Sequence, residues 1–126
     1  MKKILIIDDD ADILELTQKR LERYGYRVLA AKDGAQGLIK VREEKPDLIL
    51  LDIVMPNQDG FTILRELKKS EATRRIPVIM LTAKSETKSI FEGEEYGAID
   101  YFIKPCDWQE LVRYIRKYLD LTSETI

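Results

Sequence analysis

Three aspartates define the chemistry open to this chain. Asp8 and Asp9 directly follow an apolar run at residues 4–7, and Asp52 directly follows another at 48–51. Two later apolar runs end on reactive groups: 78–81 on the hydroxyl of Thr82, and 101–103 on the ammonium of Lys104. Carboxylates brought together repel, so they either hold their protons more tightly or gather around a cation, and oxygen-only ligands at a partly open site suit Mg²⁺. An aspartate in that setting can attack a phosphoryl group and form an acyl phosphate, provided the charge on the phosphoryl oxygens is neutralised. Mg²⁺ would bridge the nucleophile and one oxygen, Lys104 would neutralise a second, and Thr82 would take the third.

Composition removes the competing chemistries. The 126 residues include no histidine, so no imidazole base, Ser-His pair or His-containing zinc site can be built. The single cysteine, Cys106, excludes an intramolecular disulfide and a cysteine-only metal cluster, which fits a reducing compartment. Lysine and arginine number 21 against 23 acids, a formal net charge of -2, which argues against direct nucleic-acid binding. The apolar run after Met1-Lys2-Lys3 stops at Asp8, too short for a signal peptide, and no segment is long enough to span a bilayer. The expected location is cytoplasmic.

The elements that must position these groups follow from periodicity. Residues 4–7, 28–30, 48–51, 78–81 and 101–103 are short apolar runs, several apolar on both faces, and predict five strands covered on both sides. Between them, apolar residues recur at helical spacing: Leu14, Thr17, Leu21 and Tyr24; Ala35, Leu38 and Ile39; Trp108, Leu111, Val112, Ile115 and Leu119. Asp107 with Glu110 predicts a capped start for the last helix, and Gly25 and Gly97 predict helix ends. Strand and helix alternating in this way give an α/β doubly wound domain, whose functional crevice lies at the carboxyl ends of the strands.

The set Asp8-Asp9, Asp52 within Asp-Ile-Val-Met-Pro-Asn-Gln-Asp-Gly, Thr82-Ala83 and Lys104-Pro105 resembles the receiver domain of bacterial two-component response regulators. The resemblance runs from Lys3 to about Leu119 and implies a five-stranded parallel sheet in the order 2-1-3-4-5 with helices on both faces. It implies Asp52 as the phosphoacceptor, Asp9 as a direct Mg²⁺ ligand, Asp8 as a ligand acting through water, and the backbone carbonyl of Val54 as the remaining ligand; Mn²⁺ would serve as a substitute. Lys104 would pair with the phosphate, its bond to Pro105 being cis, and Thr82 with Tyr101 would form the switch pair.

The expected protein is a phosphorylation switch. A histidine kinase or histidine phosphotransfer protein supplies the phosphoryl group, and a downstream protein reads the face from the fourth helix to the fifth, which includes Glu92, Glu94, Glu95 and Tyr96. Residues 1–120 are expected to be the receiver and 121–126 a short tail without an effector domain, the whole a monomer or weak dimer. Ile99 stands where receivers that pair through this face carry an acid, which disfavours that dimer. Val54 and Lys84 are expected to flank the water approach and set the phosphoryl lifetime, and Cys106 replaces a phenylalanine as a small apolar residue.

Blander readings compete residue by residue. Asp10 and Asp12 are read as helix-start acids, Asp52 could begin a turn that Pro56-Asn57 and Asp59-Gly60 complete, and Tyr101 could be a packed strand aromatic. Two other functions remain open. A haloacid dehalogenase-type hydrolase also uses a strand-end aspartate, but Val54 stands where that family needs a second acid. A receiver-like scaffold would bind a partner without responding to phosphorylation.

Overall fold

In the computed structural model, the residues described are 1–55, 58–83, 100–104 and 107–123. Strands β1 (Lys3–Ile7), β2 (Arg27–Ala31) and β3 (Leu48–Asp52) precede a two-by-two antiparallel ladder, β4 (Val54–Met55) with β5 (Gln58–Asp59). Strands β6 (Val78–Ala83) and β7 (Asp100–Lys104) follow. The five longer strands form one parallel sheet in the order β2-β1-β3-β6-β7, the expected arrangement. Helices α1 (Ala11–Glu22), α2 (Gly34–Glu44), α3 (Gly60–Lys69) and α4 (Trp108–Ser123) complete the described elements.

Successive strand residues feed opposite cores, which is why the runs are apolar throughout. Ile4, Ile6, Leu48, Leu50, Ile79 and Leu81 pack with Leu14 and Leu21 of α1 and with Leu111, Val112, Ile115 and Leu119 of α4. Leu5, Ile7, Ile49, Leu51, Val78 and Met80 pack with Val41 of α2 and with Phe61, Ile63, Leu64 and Leu67 of α3. The stripe predicted for the last helix is the buried one, with Trp108 partly buried at its start.

Two expectations need correction, in α1 and α2, and one of the blander readings, the plain turn after Asp52, falls away. Helix α1 ends at Glu22, and Tyr24 lies beyond it, exposed, with the Arg116 guanidinium 5.9 Å from its ring centroid; the chain turns there through Gly25 at φ +92. In α2 the buried face is Gly34, Gly37 and Val41, whereas Ala35 and Ile39 are exposed. The cause is close approach: a Cβ on Gly37 would lie 2.5 Å from Ile7 Cδ1, so glycine lets this helix sit against β1. Asp59 and Gly60 do not complete a plain turn, because Asp59 pairs with Val54 and caps α3 by accepting from the Phe61 amide at 2.9 Å. Gly97 lies outside the described residues.

The helix-start acids act as read. Asp10 caps α1, its Oδ1 accepting from Asp12 N at 3.0 Å and Ile13 N at 3.2 Å, and Asp107 caps α4 by accepting from Gln109 N at 3.0 Å and Glu110 N at 3.3 Å. Asp10→Ala should therefore cost about 1 kcal/mol of unfolding free energy with an unchanged denaturant slope, measured by urea titration.

Ahead of β6, Lys68 Nζ donates to the carbonyls of Arg74 at 3.0 Å and Ile76 at 3.1 Å, and the Thr73 hydroxyl donates to Leu67 O at 2.6 Å. Partial burial lowers the Lys68 pKa below the ordinary lysine value of 10.5. The folded chain then loses this proton at lower pH than the unfolded chain. Stability attributable to Lys68 should rise with pH from its lowered pKa up to 10.5. Urea unfolding of wild type and Lys68→Met across that window should show the difference moving in favour of wild type.

Candidate functional site

The sheet register brings the singled-out residues to one edge. Ile7 is level with Leu51, so Asp8 follows at the level of Asp52 on the neighbouring strand. Asp52 is level with Leu81, and Leu81 with Phe102. Thr82 and Ile103 come one residue later, and Ala83 and Lys104 two residues later. Tyr101 lies one residue before the Asp52 level, beside Met80. Thr82 and Lys104 thus belong to the last residues of β6 and β7, whereas the apolar runs alone ended each strand one or two residues earlier. The side chains of Val54, Thr82, Tyr101 and Lys104 lie outside the described residues, as do Lys84, Glu92, Glu94, Glu95, Tyr96, Ile99, Pro105 and Cys106.

The carboxylates form one cluster. One oxygen from each of Asp8, Asp9 and Asp52 lies within 4.8 Å of the others. Asp8 is 1% exposed and Asp52 8%, while Asp9 faces solvent, so the cluster has two buried walls and one open side. The Asp10 amide donates to Asp8 Oδ1 at 3.0 Å, which fixes that carboxylate at the start of α1. Beyond Ile7 the Asp8 amide continues the ladder to Ala31 O at 3.1 Å, and beyond Asp52 the Ile53 amide continues it to Leu81 O at 3.1 Å. Both acids are therefore held by the sheet's own hydrogen bonding.

This donor set fits a small divalent cation. Three hard oxygen ligands close together, two of them largely removed from water, carry a Coulomb cost that a cation relieves, and the exposed side leaves room for water ligands and a phosphate oxygen. Sequence spacing missed the β4-β5 ladder, which ties Val54 to Asp59 and closes the loop after Asp52. Asp59-Gly60 followed by apolar residues at helical spacing, Phe61, Leu64 and Leu67, marks the start of α3 and so bounds the ladder on its far side.

The family model of the response regulator receiver domain matches residues 4–116. The chain belongs to the response regulator receiver family. This receiver is 43% identical over 123 residues to the DNA-binding dual master transcriptional regulator RpaA of Synechocystis, covering 98% of this chain and 51% of RpaA. It is 40% identical over 119 residues to protein PilH of Pseudomonas aeruginosa, covering 94% of this chain and 98% of PilH. The receiver thus spans about half the length of RpaA and nearly all of PilH. A CheY-like receiver domain protein from Methanospirillum hungatei superimposes with a TM-score of 0.91 at 32% identity, covering 98% of both chains. Receivers are phosphoacceptor signalling modules that bind Mg²⁺ through an acidic pocket and work with histidine kinases or phosphotransfer proteins and downstream targets. The hydrolase alternative loses its basis with this membership. Among the described residues, no helix is long and apolar enough to cross a membrane.

Proposed function

We propose that Asp52 is the phosphoacceptor of this receiver, and the observation that carries the reading is the gathering of the Asp8, Asp9 and Asp52 carboxylates within 4.8 Å. A carboxylate oxygen of Asp52 attacks the phosphorus of a donor phosphohistidine. The P–N bond breaks, its electron pair stays on the donor imidazole, and an acyl phosphate forms. Mg²⁺, when bound, neutralises charge on the transferring group; Asp9 would hold it directly, Asp8 through water, and Asp52 and the Val54 carbonyl would complete the protein ligands. Mn²⁺ would serve in its place.

Lys104 pairs with a phosphoryl oxygen and Thr82 with another, and Tyr101 follows Thr82 inward as the second half of the switch. Water attacks the phosphorus of the acyl phosphate, the bond from phosphorus to the Asp52 oxygen breaks, and inorganic phosphate leaves with the carboxylate restored, Val54 and Lys84 setting the rate. Residues 1–120 act as the receiver, with 121–126 following it. As a monomer or weak dimer it presents the face from the fourth helix to the fifth of the receiver fold to a downstream protein. Incubation with Mg²⁺ and a small acyl phosphate donor, read by intact mass, should give one labile phosphoryl adduct, lost when a chelator replaces Mg²⁺. Absence of an adduct with donors and kinases of several kinds would favour the scaffold.

A further inference from the structure

We propose that Gly60 is a positioning residue for the phosphoacceptor pocket, an inference that rests on the role given to Asp52 above. Gly60 opens α3 and is buried against the main chain of Asp52 itself. A Cβ at this position would lie 2.3 Å from the Asp52 carbonyl oxygen, 2.8 Å from Ile53 Cα and 3.1 Å from the Asp52 carbonyl carbon. All three neighbours are backbone, so no rotamer change makes room and the strand end itself must move. The Gly60 amide donates to Ile53 O at 2.8 Å, while on the other side the Ile53 amide donates to Leu81 O at 3.1 Å. The peptide units around Asp52 are thus held between β6 and the first residue of α3.

Conformation is not the reason for glycine here. Among the described glycines only Gly25 has a positive φ, so Gly60 is required by space alone. The pairing of Val54 with Asp59 ties the segment after Asp52 to the residue preceding Gly60. Displacing this junction moves Asp52 relative to Asp8 and Asp9, and Mg²⁺ tolerates little departure from its preferred geometry.

Mg²⁺ alone, titrated into wild type, Gly60→Ala and Gly37→Ala and followed by amide NMR shifts, tests this. Gly37→Ala is the packing control, because the three atoms nearest its Cβ are all side-chain atoms of Ile7, not backbone. Gly60→Ala should weaken Mg²⁺ binding by about tenfold or more, a displaced ligand being costly to an ion that demands near-ideal geometry, whereas Gly37→Ala should stay within about twofold of wild type whatever its melting temperature. Should Gly60→Ala not fold, the wild type still decides: its Gly60 amide should shift along the same Mg²⁺ saturation curve as the amides of Asp8 and Asp9. Unchanged affinity in Gly60→Ala, equal weakening in Gly37→Ala, or a Gly60 amide that stays still through saturation would overturn the positioning role alone. A wild type that ignores Mg²⁺ would overturn the reading of Asp52 as well.

Discussion

Asp52→Asn should accept no phosphoryl group from either an acyl phosphate or a phosphohistidine donor, a complete loss in an intact-mass assay. The substitution keeps the shape of a side chain that is 8% exposed at the end of β3, so the fold should survive it. It removes the anionic oxygen, and a neutral amide is a poor nucleophile toward phosphorus. It also removes one of three clustered negative charges, so the metal-free variant should unfold at the same urea concentration as wild type or a higher one. An adduct of undiminished yield on Asp52→Asn would place the chemistry on another residue. If folding were lost with the adduct, borohydride mapping of the phosphorylated wild type would identify the acceptor instead.

Asp9→Asn should have the second largest effect, with opposite signs in two conditions. Asp9 is the exposed member of the cluster and the proposed direct ligand, so removing its charge should weaken Mg²⁺ binding tenfold to a hundredfold, about 1.4 to 2.8 kcal/mol. Without Mg²⁺ the same change relieves repulsion from Asp8 and Asp52 and should stabilise the fold by up to about 1 kcal/mol at low ionic strength, less in salt because the site faces solvent. Saturating Mg²⁺ should therefore stabilise wild type more than the variant, since a ligand that binds only the folded state adds stability according to its affinity. Urea unfolding with and without Mg²⁺ measures both signs. A variant equally destabilised in the two conditions would make Asp9 a structural residue.

Most of the sheet was legible because its central strands β1 and β3 are buried on both faces, and an apolar run as short as 48–51 suits a buried strand better than a helix. The carboxylate cluster was legible for a related reason: parallel neighbours in register put strand-end residues side by side, so Asp8 and Asp52 meet once β1 pairs with β3. Periodicity failed in α2 because two of the three residues it buries are glycines, which register as neither apolar nor polar, and their meaning lies in the approach of Ile7. It failed at Tyr24 because an aromatic beyond a helix end satisfies the helical spacing without belonging to the helix. The role of Gly60 was invisible for the same reason as that of Gly37. A residue chosen for the atoms it lacks shows its purpose only when the neighbouring main chain is in place.

The phosphoryl group should end on one particular carboxylate, that of Asp52. Borohydride reduces an acyl phosphate to the alcohol and leaves a free carboxylate untouched, so treating the phosphorylated protein and mapping its peptides by mass marks the acceptor as homoserine. Conversion at position 52, dependent on Mg²⁺ and absent from Asp8 and Asp9, is the predicted result. Conversion at either of those two aspartates, or a reduction-resistant phosphate on Thr82 with position 52 unmodified, would contradict it.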